Sequence, residues 1–121
     1  MDPALLGRLA EGRVAAWYLE RGYAVLARNW RYGERGSGAG EIDLVCTRGG
    51  LLVICEVKAR RNRSFGAPAE AVTPAKQHRL RRGALAFLAH PPGGRTRYYC
   101  DIRFDVASVE GSTVEVLEGA F

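Results

Sequence analysis

Apolar and polar positions recur along this chain with two different periods, and each change of period marks the border of an element. Leu5, Leu6, Leu9, Val14, Ala15, Ala16, Trp17 and Leu19 form the broad apolar stripe of an amphipathic helix. Asp2 and Pro3 supply an N-cap and a proline at the first helical position, and Gly22 can close the helix. Gly7 and Gly12 weaken its interior, so a bend is expected near Gly12. Tyr23 to Arg31 then reads as a strand, and the glycine-rich run from Gly33 to Gly40 as a loop.

Glu41 to Thr47 and Leu51 to Lys58 read as two strands of a hairpin about Arg48-Gly49-Gly50. Their nearly unbroken apolar runs, Ile42, Leu44, Val45 and then Leu51 to Cys55, predict burial on both faces. Asn62 to Pro68 is a polar, basic loop. Thr73-Pro74 repeats the cap-and-proline signal and opens a second helix, expected to run to about His90, where Pro91-Pro92-Gly93-Gly94 stops it. Arg97 to Val109 contains a strand with Ile102, Phe104 and Val106 on one face and Arg103 and Asp105 on the other, and a weaker alternation runs from Val114 to Leu117. Helix, three strands, helix, one or two strands: this order predicts an α/β layer architecture, a mixed sheet flanked by helices.

Length and composition narrow the class. A chain of 121 residues suits a single domain over 1–121, and 47% hydrophobic with 26% charged residues is ordinary for a globular protein. No stretch approaches the roughly 20 apolar residues needed to cross a bilayer, and no basic segment precedes an apolar signal core, so neither a membrane nor secretion is expected. Cys46, Cys55 and Cys100 form an odd set without a Cys-x-x-Cys pair and are read as buried, reduced thiols. The expected location is cytoplasmic.

The net charge of +5 is unevenly spread. Lys58, Arg60, Arg61, Arg63, Lys76, Arg79, Arg81 and Arg82 stand against the single acid Glu70, so residues 58–82 carry +7 and the remainder −2. A concentrated positive field suits a polyanion, and phosphate backbone is the commonest in the cytoplasm. Trp17, Tyr18 and Trp30 are assigned to core packing rather than base stacking.

Charges also stand where stability does not ask for them. Glu41, Asp43, Glu56 and Lys58 lie within the buried hairpin, although an unpaired carboxylate away from water is costly. Glu56 and Lys58 are two apart and share a face. A two-residue Gly49-Gly50 turn pairs Arg48 with Leu51, which sets Asp43 opposite Glu56 and Glu41 opposite Lys58; a four-residue loop keeps that register, whereas a three-residue loop sets Asp43 opposite Cys55. In the first register two carboxylates face one another about 5 Å apart between Cβ atoms. Such a pair repels unless a cation lies between, and oxygen-only ligation, with the Val57 carbonyl as a further ligand, favours Mg2+ or Mn2+. Lys58 can hold a phosphoryl oxygen or orient an attacking water.

Gly40-Glu41-Ile42-Asp43-Leu44-Val45, Glu56-Val57-Lys58-x-Arg60, Lys76-Gln77 and Arg103-Phe104-Asp105-Val106, in that order, resemble the YraN family of small uncharacterised bacterial proteins over roughly residues 11 to 106. That family is similar to the restriction-endonuclease-like superfamily, whose core motif is an acid on one strand and Glu-x-Lys on the next; Asp43, Glu56 and Lys58 occupy those positions. The resemblance implies a restriction-endonuclease-like mixed β-sheet flanked by helices, and a metal site. The family commonly places Gly-Glu ahead of the first helix's Ala-Ala, whereas this chain reads Glu11-Gly12 ahead of Ala15-Ala16. One residue is about 100° of helix rotation, so Glu11 is expected to stand off the metal, although it is kept as a candidate catalytic residue.

Gln77 joins the catalytic candidates, since it and Lys76 fall near the second helix's apolar face beside Leu80, Ala84, Phe87 and Leu88. Arg60 extends the alternation of Glu56 and Lys58 if the strand persists; with Arg61, Arg63, Lys76 and Arg79 it is assigned to nucleic-acid binding. Arg79, Arg81, Arg82 and His78 point more outward, as backbone contacts or solvent-facing groups. The expected function is a metal-dependent endonuclease-type phosphodiesterase acting on nucleic acid, DNA ahead of RNA. The alternative is a non-catalytic nucleic-acid-binding module with a nuclease-like fold. A homodimer is among the assemblies this reading allows.

Overall fold

The computed structural model describes residues 2–33, 38–60, 72–94 and 97–121. Helix α1 spans Pro3–Glu20, begun by Asp2, whose carboxylate accepts from the Ala4 N–H at 3.0 Å. It runs unbroken through Gly12. Its buried residues Ala10, Glu11, Val14, Ala15 and Tyr18 include the stripe 11, 14, 15, 18, spaced as one helix face. Leu5, Leu9 and Leu19, expected to pack, are exposed instead. The small side chains of Ala10 and Ala15 let the helix lie close on the sheet, and that settles which face is buried.

The strands are β1 (Ala24–Tyr32), β2 (Gly40–Arg48), β3 (Leu51–Ala59), β4 (Asp101–Glu110) and β5 (Thr113–Leu117), in that order across one five-stranded sheet. All neighbours are antiparallel except β3 and β4. A parallel pair needs a crossover, and helix α2 (Pro74–Ala89) lies within it. Thr73 caps α2 by accepting from the Lys76 N–H, and His90 is its C-cap.

The helices cover opposite faces. Ala10, Val14, Ala15 and Tyr18 of α1 pack on Leu44, Cys46, Val53, Cys55, Ala107 and Val109, while Leu80, Ala84 and Phe87 of α2 pack on Ile42, Val45, Leu52, Ile54 and Val106. The hairpin is therefore buried on both sides, as its continuous apolar runs predict. Gly83 permits the close approach of α2, since a Cβ there would lie 2.8 Å from Tyr32 Cε1 and 2.9 Å from Ile42 Cδ1. This five-stranded α/β arrangement is consistent with a restriction-endonuclease-like fold.

Trp30 packs edge-on to Phe87, and Tyr18 is fully buried. Cys46 and Cys55 are buried free thiols, and burial pushes both pKa values up, Cys46 to about 12. Cys100 departs from expectation: it precedes β4 beside the Gly49-Gly50 turn and is exposed. Among the described residues no helix is long and apolar enough to cross a membrane.

Candidate active site

The hairpin register is set by its turn. Arg48 pairs with Leu51, and the ladder continues through Thr47–Leu52, Cys46–Val53 and Val45–Ile54 to Leu44–Cys55. Gly49 takes φ +60° while Gly50 does not enter the left-handed region, the pattern of a type II′ turn. One step further lie Asp43 and Glu56, and there the ladder ends. Instead of pairing backbone to backbone, Asp43 Oδ2 accepts the Val57 N–H at 2.8 Å. Glu41 consequently does not pair with Lys58; β2 stays with β1, where Glu41 is level with Arg31, an exposed ion pair at 3.6 Å.

The opening holds two half-buried acids in contact. Glu56 shares a side-chain hydrogen bond with Asp43 and is pushed up to about 7, first by burial and then by the Asp43 charge. Asp43 is also raised, mainly by burial, with Glu41 adding to the shift and the Val57 N–H opposing it. The hydrogen bond raises Glu56 and lowers Asp43, so Glu56 is the partner that keeps the proton. Two acids drawn from water against one another form a pair with perturbed pKa values, the mark of a candidate site.

The donor set can be tested against a cation. In a strand the N–H and C=O of one residue point to the same side, so the Val57 carbonyl faces the opening into which its N–H donates. Two carboxylates and a carbonyl fit a hard cation that retains several waters, the habit of magnesium. Among the described residues no group of three or more His, Cys, Asp or Glu side chains is placed to hold a metal ion. A cation here would therefore be held by few protein ligands.

Two helices bring further groups. Lys76, half-buried in the first turn of α2, lowers the pKa of both Asp43 and Glu56, and the more exposed Arg79 acts on Glu56. Glu11 was expected to stand off; instead it is 7% exposed, with its pKa raised by burial and then by the Asp43 charge. The reason is the stripe shared with Val14, Ala15 and Tyr18: packing α1 on the sheet turns Glu11 inward beside Asp43, with Arg28, Glu41 and Arg8 also within electrostatic reach. That spacing was visible in the sequence, but comparison with the family pattern pointed the other way.

Other candidates fall elsewhere. Lys58 is exposed on β3, level with Ser108 of β4 and on the Glu56 face by alternation; among the described residues it makes no ion pair with Glu56. Gln77 is half-buried and donates through Nε2 to the Val72 carbonyl at 3.4 Å. Strand β3 ends at Ala59, so Arg60 does not extend the Glu56 face; its N–H donates to the Val109 carbonyl and it lines a cavity of about 190 Å³ with Leu6, Leu9 and Ala10 of α1. Arg61 and Arg63, with most of the basic loop, lie outside the described residues. Arg81 sits over the Phe104 and Phe121 rings at 5.4 and 5.3 Å, His78 is exposed, and Arg82 lies against Gly38.

A second buried carboxylate was not singled out from the sequence. Asp105 is fully buried and accepts from Tyr18 Oη at 2.6 Å, Arg103 Nε at 2.8 Å, Arg103 Nη2 at 2.9 Å and the Gly119 N–H at 3.1 Å. Arg103 also donates to Tyr23 Oη, and its pKa is raised, chiefly by the Asp105 hydrogen bonds. The signals for it were the alternating Arg103-x-Asp105 and its place in the Arg103-Phe104-Asp105-Val106 block.

The fold and this opened hairpin define a small α/β protein with a paired-carboxylate site at the end of two central strands. The sequence model of Uncharacterised protein family UPF0102 matches residues 10–109, and the chain belongs to that family. It is 41% identical to a UPF0102 protein of Acidothermus cellulolyticus, over 96% of this chain and 92% of the relative. It is 43% identical to relatives of the same description in Paramagnetospirillum magneticum, over 85% of this chain and 75% of the relative, and in Symbiobacterium thermophilum, over 87% and 81%.

Proposed function

We propose that this protein is a metal-dependent nuclease acting on phosphodiester bonds of nucleic acid, with DNA ahead of RNA as substrate. The observation that carries the reading is the contact of Asp43 and Glu56 where the β2–β3 ladder opens, with Glu56 pushed up to about 7. Asp43, Glu56 and the Val57 carbonyl are the groups that would hold Mg2+ or Mn2+. Such an ion supplies Lewis-acid polarisation of the phosphodiester and neutralises charge at its reacting phosphorus. Lys58, two residues beyond Glu56 on the exposed part of the same face, holds a non-bridging oxygen or orients the attacking water. Lys76 and Arg79 hold flanking phosphate at the N-terminal end of α2, where the helix dipole also favours anions.

Purified protein incubated with single-stranded, duplex and branched DNA and with RNA, in Mg2+ or Mn2+, should cut at least one substrate. Asp43→Ala and Glu56→Ala should abolish cutting; cutting that survives both substitutions overturns the assignment. The absence of a three-side-chain metal cage among the described residues favours one second reading, a nucleic-acid-binding module without catalysis. Salt-dependent binding that persists in Asp43→Ala, with no turnover in any metal, would select it.

A further inference from the structure

Strand β1 contains the one non-glycine residue with positive φ among the described residues, Asn29 at +50°. Its place in the register is specific. The β1–β2 pairs step from Arg28–Leu44 to Trp30–Ile42, so Asn29 stands level with Asp43. At this level both strands break the alternation that should keep residues two apart on one face. Leu44 packs in the cluster under α1 and Ile42 in the cluster under α2. Likewise Trp30 packs on the α2 side, while Arg28 lies beside Gly12 of α1. The sheet thus turns over by one residue in two neighbouring strands, and Asp43 is the residue released from alternation.

The Asn29 side chain faces acids. Oriented with its nitrogen as donor, the amide lies 2.5 Å from Glu11 Oε2 and 3.0 Å from Glu41 Oε1. Asparagine is among the few side chains that tolerate left-handed backbone, and here it adds two donors to carboxylates from two different elements. We propose that Asn29 is the positioning residue of the acid site: its left-handed backbone turns β1 and β2 over at the level of Asp43, and its amide holds Glu11 in the cluster. The role assigned to the cluster rests on the nuclease reading; the contact between Asn29 and Glu11 does not.

The separating variant is Asn29→Gly, which accepts φ +50° and removes only the amide. It should melt close to the parent and bind Mn2+ about tenfold more weakly, the effect of losing one hydrogen bond to a charged group. In a Glu11→Gln background the same substitution should cause little further loss, because Asn29 acts through Glu11. Equal loss in both backgrounds, or none in the first, overturns the assignment. Asn29→Asp keeps the backbone tolerance and sets a carboxylate against Glu11 and Glu41; weaker binding supports positioning, whereas tighter binding would make position 29 a metal ligand and overturn it. Without metal, the Asn29 side-chain amide resonances should move in Glu11→Gln and Glu41→Gln, and unmoved resonances also overturn the proposal. A parent protein that neither binds Mn2+ nor cuts would sink the nuclease reading alone, since the amide resonances answer separately.

Discussion

Two aspartates in this sheet, Asp105 fully buried and Asp43 half-buried, meet opposite fates. Asp105 receives four hydrogen bonds, two of them from a guanidinium that is itself held by Tyr23. Asp43 receives one backbone N–H and the Glu56 side-chain hydrogen bond, with Glu41 and Glu11 raising the local negative charge and Lys76 partly offsetting it. The first carboxylate is compensated inside the fold, and nothing remains for it to attract. The second is compensated only in part, because its acidic neighbours oppose what the Val57 N–H and Lys76 supply. Burial alone therefore does not mark function; burial with an unfinished set of partners does.

The largest expected effect breaks the compensated side. Asp105→Asn removes the buried charge that faces the Arg103 guanidinium, leaving it Tyr23 and the more exposed Glu118, and urea denaturation should show a loss of about 3 kcal/mol, the scale for removing one partner of a buried pair. Mn2+ binding should survive in the fraction that folds. Next, the uncompensated side should respond to cation: at pH 8, Mn2+ at a hundred times its dissociation constant should add about 2.7 kcal/mol of stability, and Asp43→Asn should remove that gain. A parent whose melting ignores divalent ions would erase the contrast between the two sites.

Acidity sharpens the contrast further. Glu56 titrates higher in the folded chain than in the unfolded one, so the folded state binds more protons between about pH 4.5 and 7 and stability falls as pH rises through that window. Glu56→Gln should therefore stabilise the metal-free protein at pH 8, on the order of 1 kcal/mol after allowing for partial solvation. The advantage should fade below pH 4.5, which paired thermal melts would show. The smallest stability effect belongs to Lys58→Ala, within about 0.5 kcal/mol for an exposed side chain. Its cutting rate should nonetheless drop on the order of a hundredfold, the scale for one transition-state donor.

Much of the site is local and was legible in the residues. The Gly49-Gly50 turn and the period of two fixed which residues face one another as far as Leu44 and Cys55. The parting of the strands beyond Leu44 was not legible, because no local rule says that a ladder must open at Asp43. Nor was the left-handed turn at Asn29 legible, since asparagine tolerates φ +50° within a strand without requiring it. The end of β3 was not legible either: the strand stops at Ala59, Val109 takes the Arg60 N–H and the arginine lines the cavity beneath α1.

The sequence by itself determined the order of elements, both helix N-caps and the hairpin register from Arg48–Leu51 to Leu44–Cys55, because each depends on spacing over a few residues. Only the tertiary structure decided that Glu11 joins Asp43, that β2 parts from β3 at the acids, and that Asp105 is fully satisfied. Those outcomes depend on how α1 rotates to bury Ala10, Val14, Ala15 and Tyr18, on how β1 meets β2 and on how β2 and β4 meet β3. Packing between distant segments fixes such angles, and no window of neighbouring residues contains them.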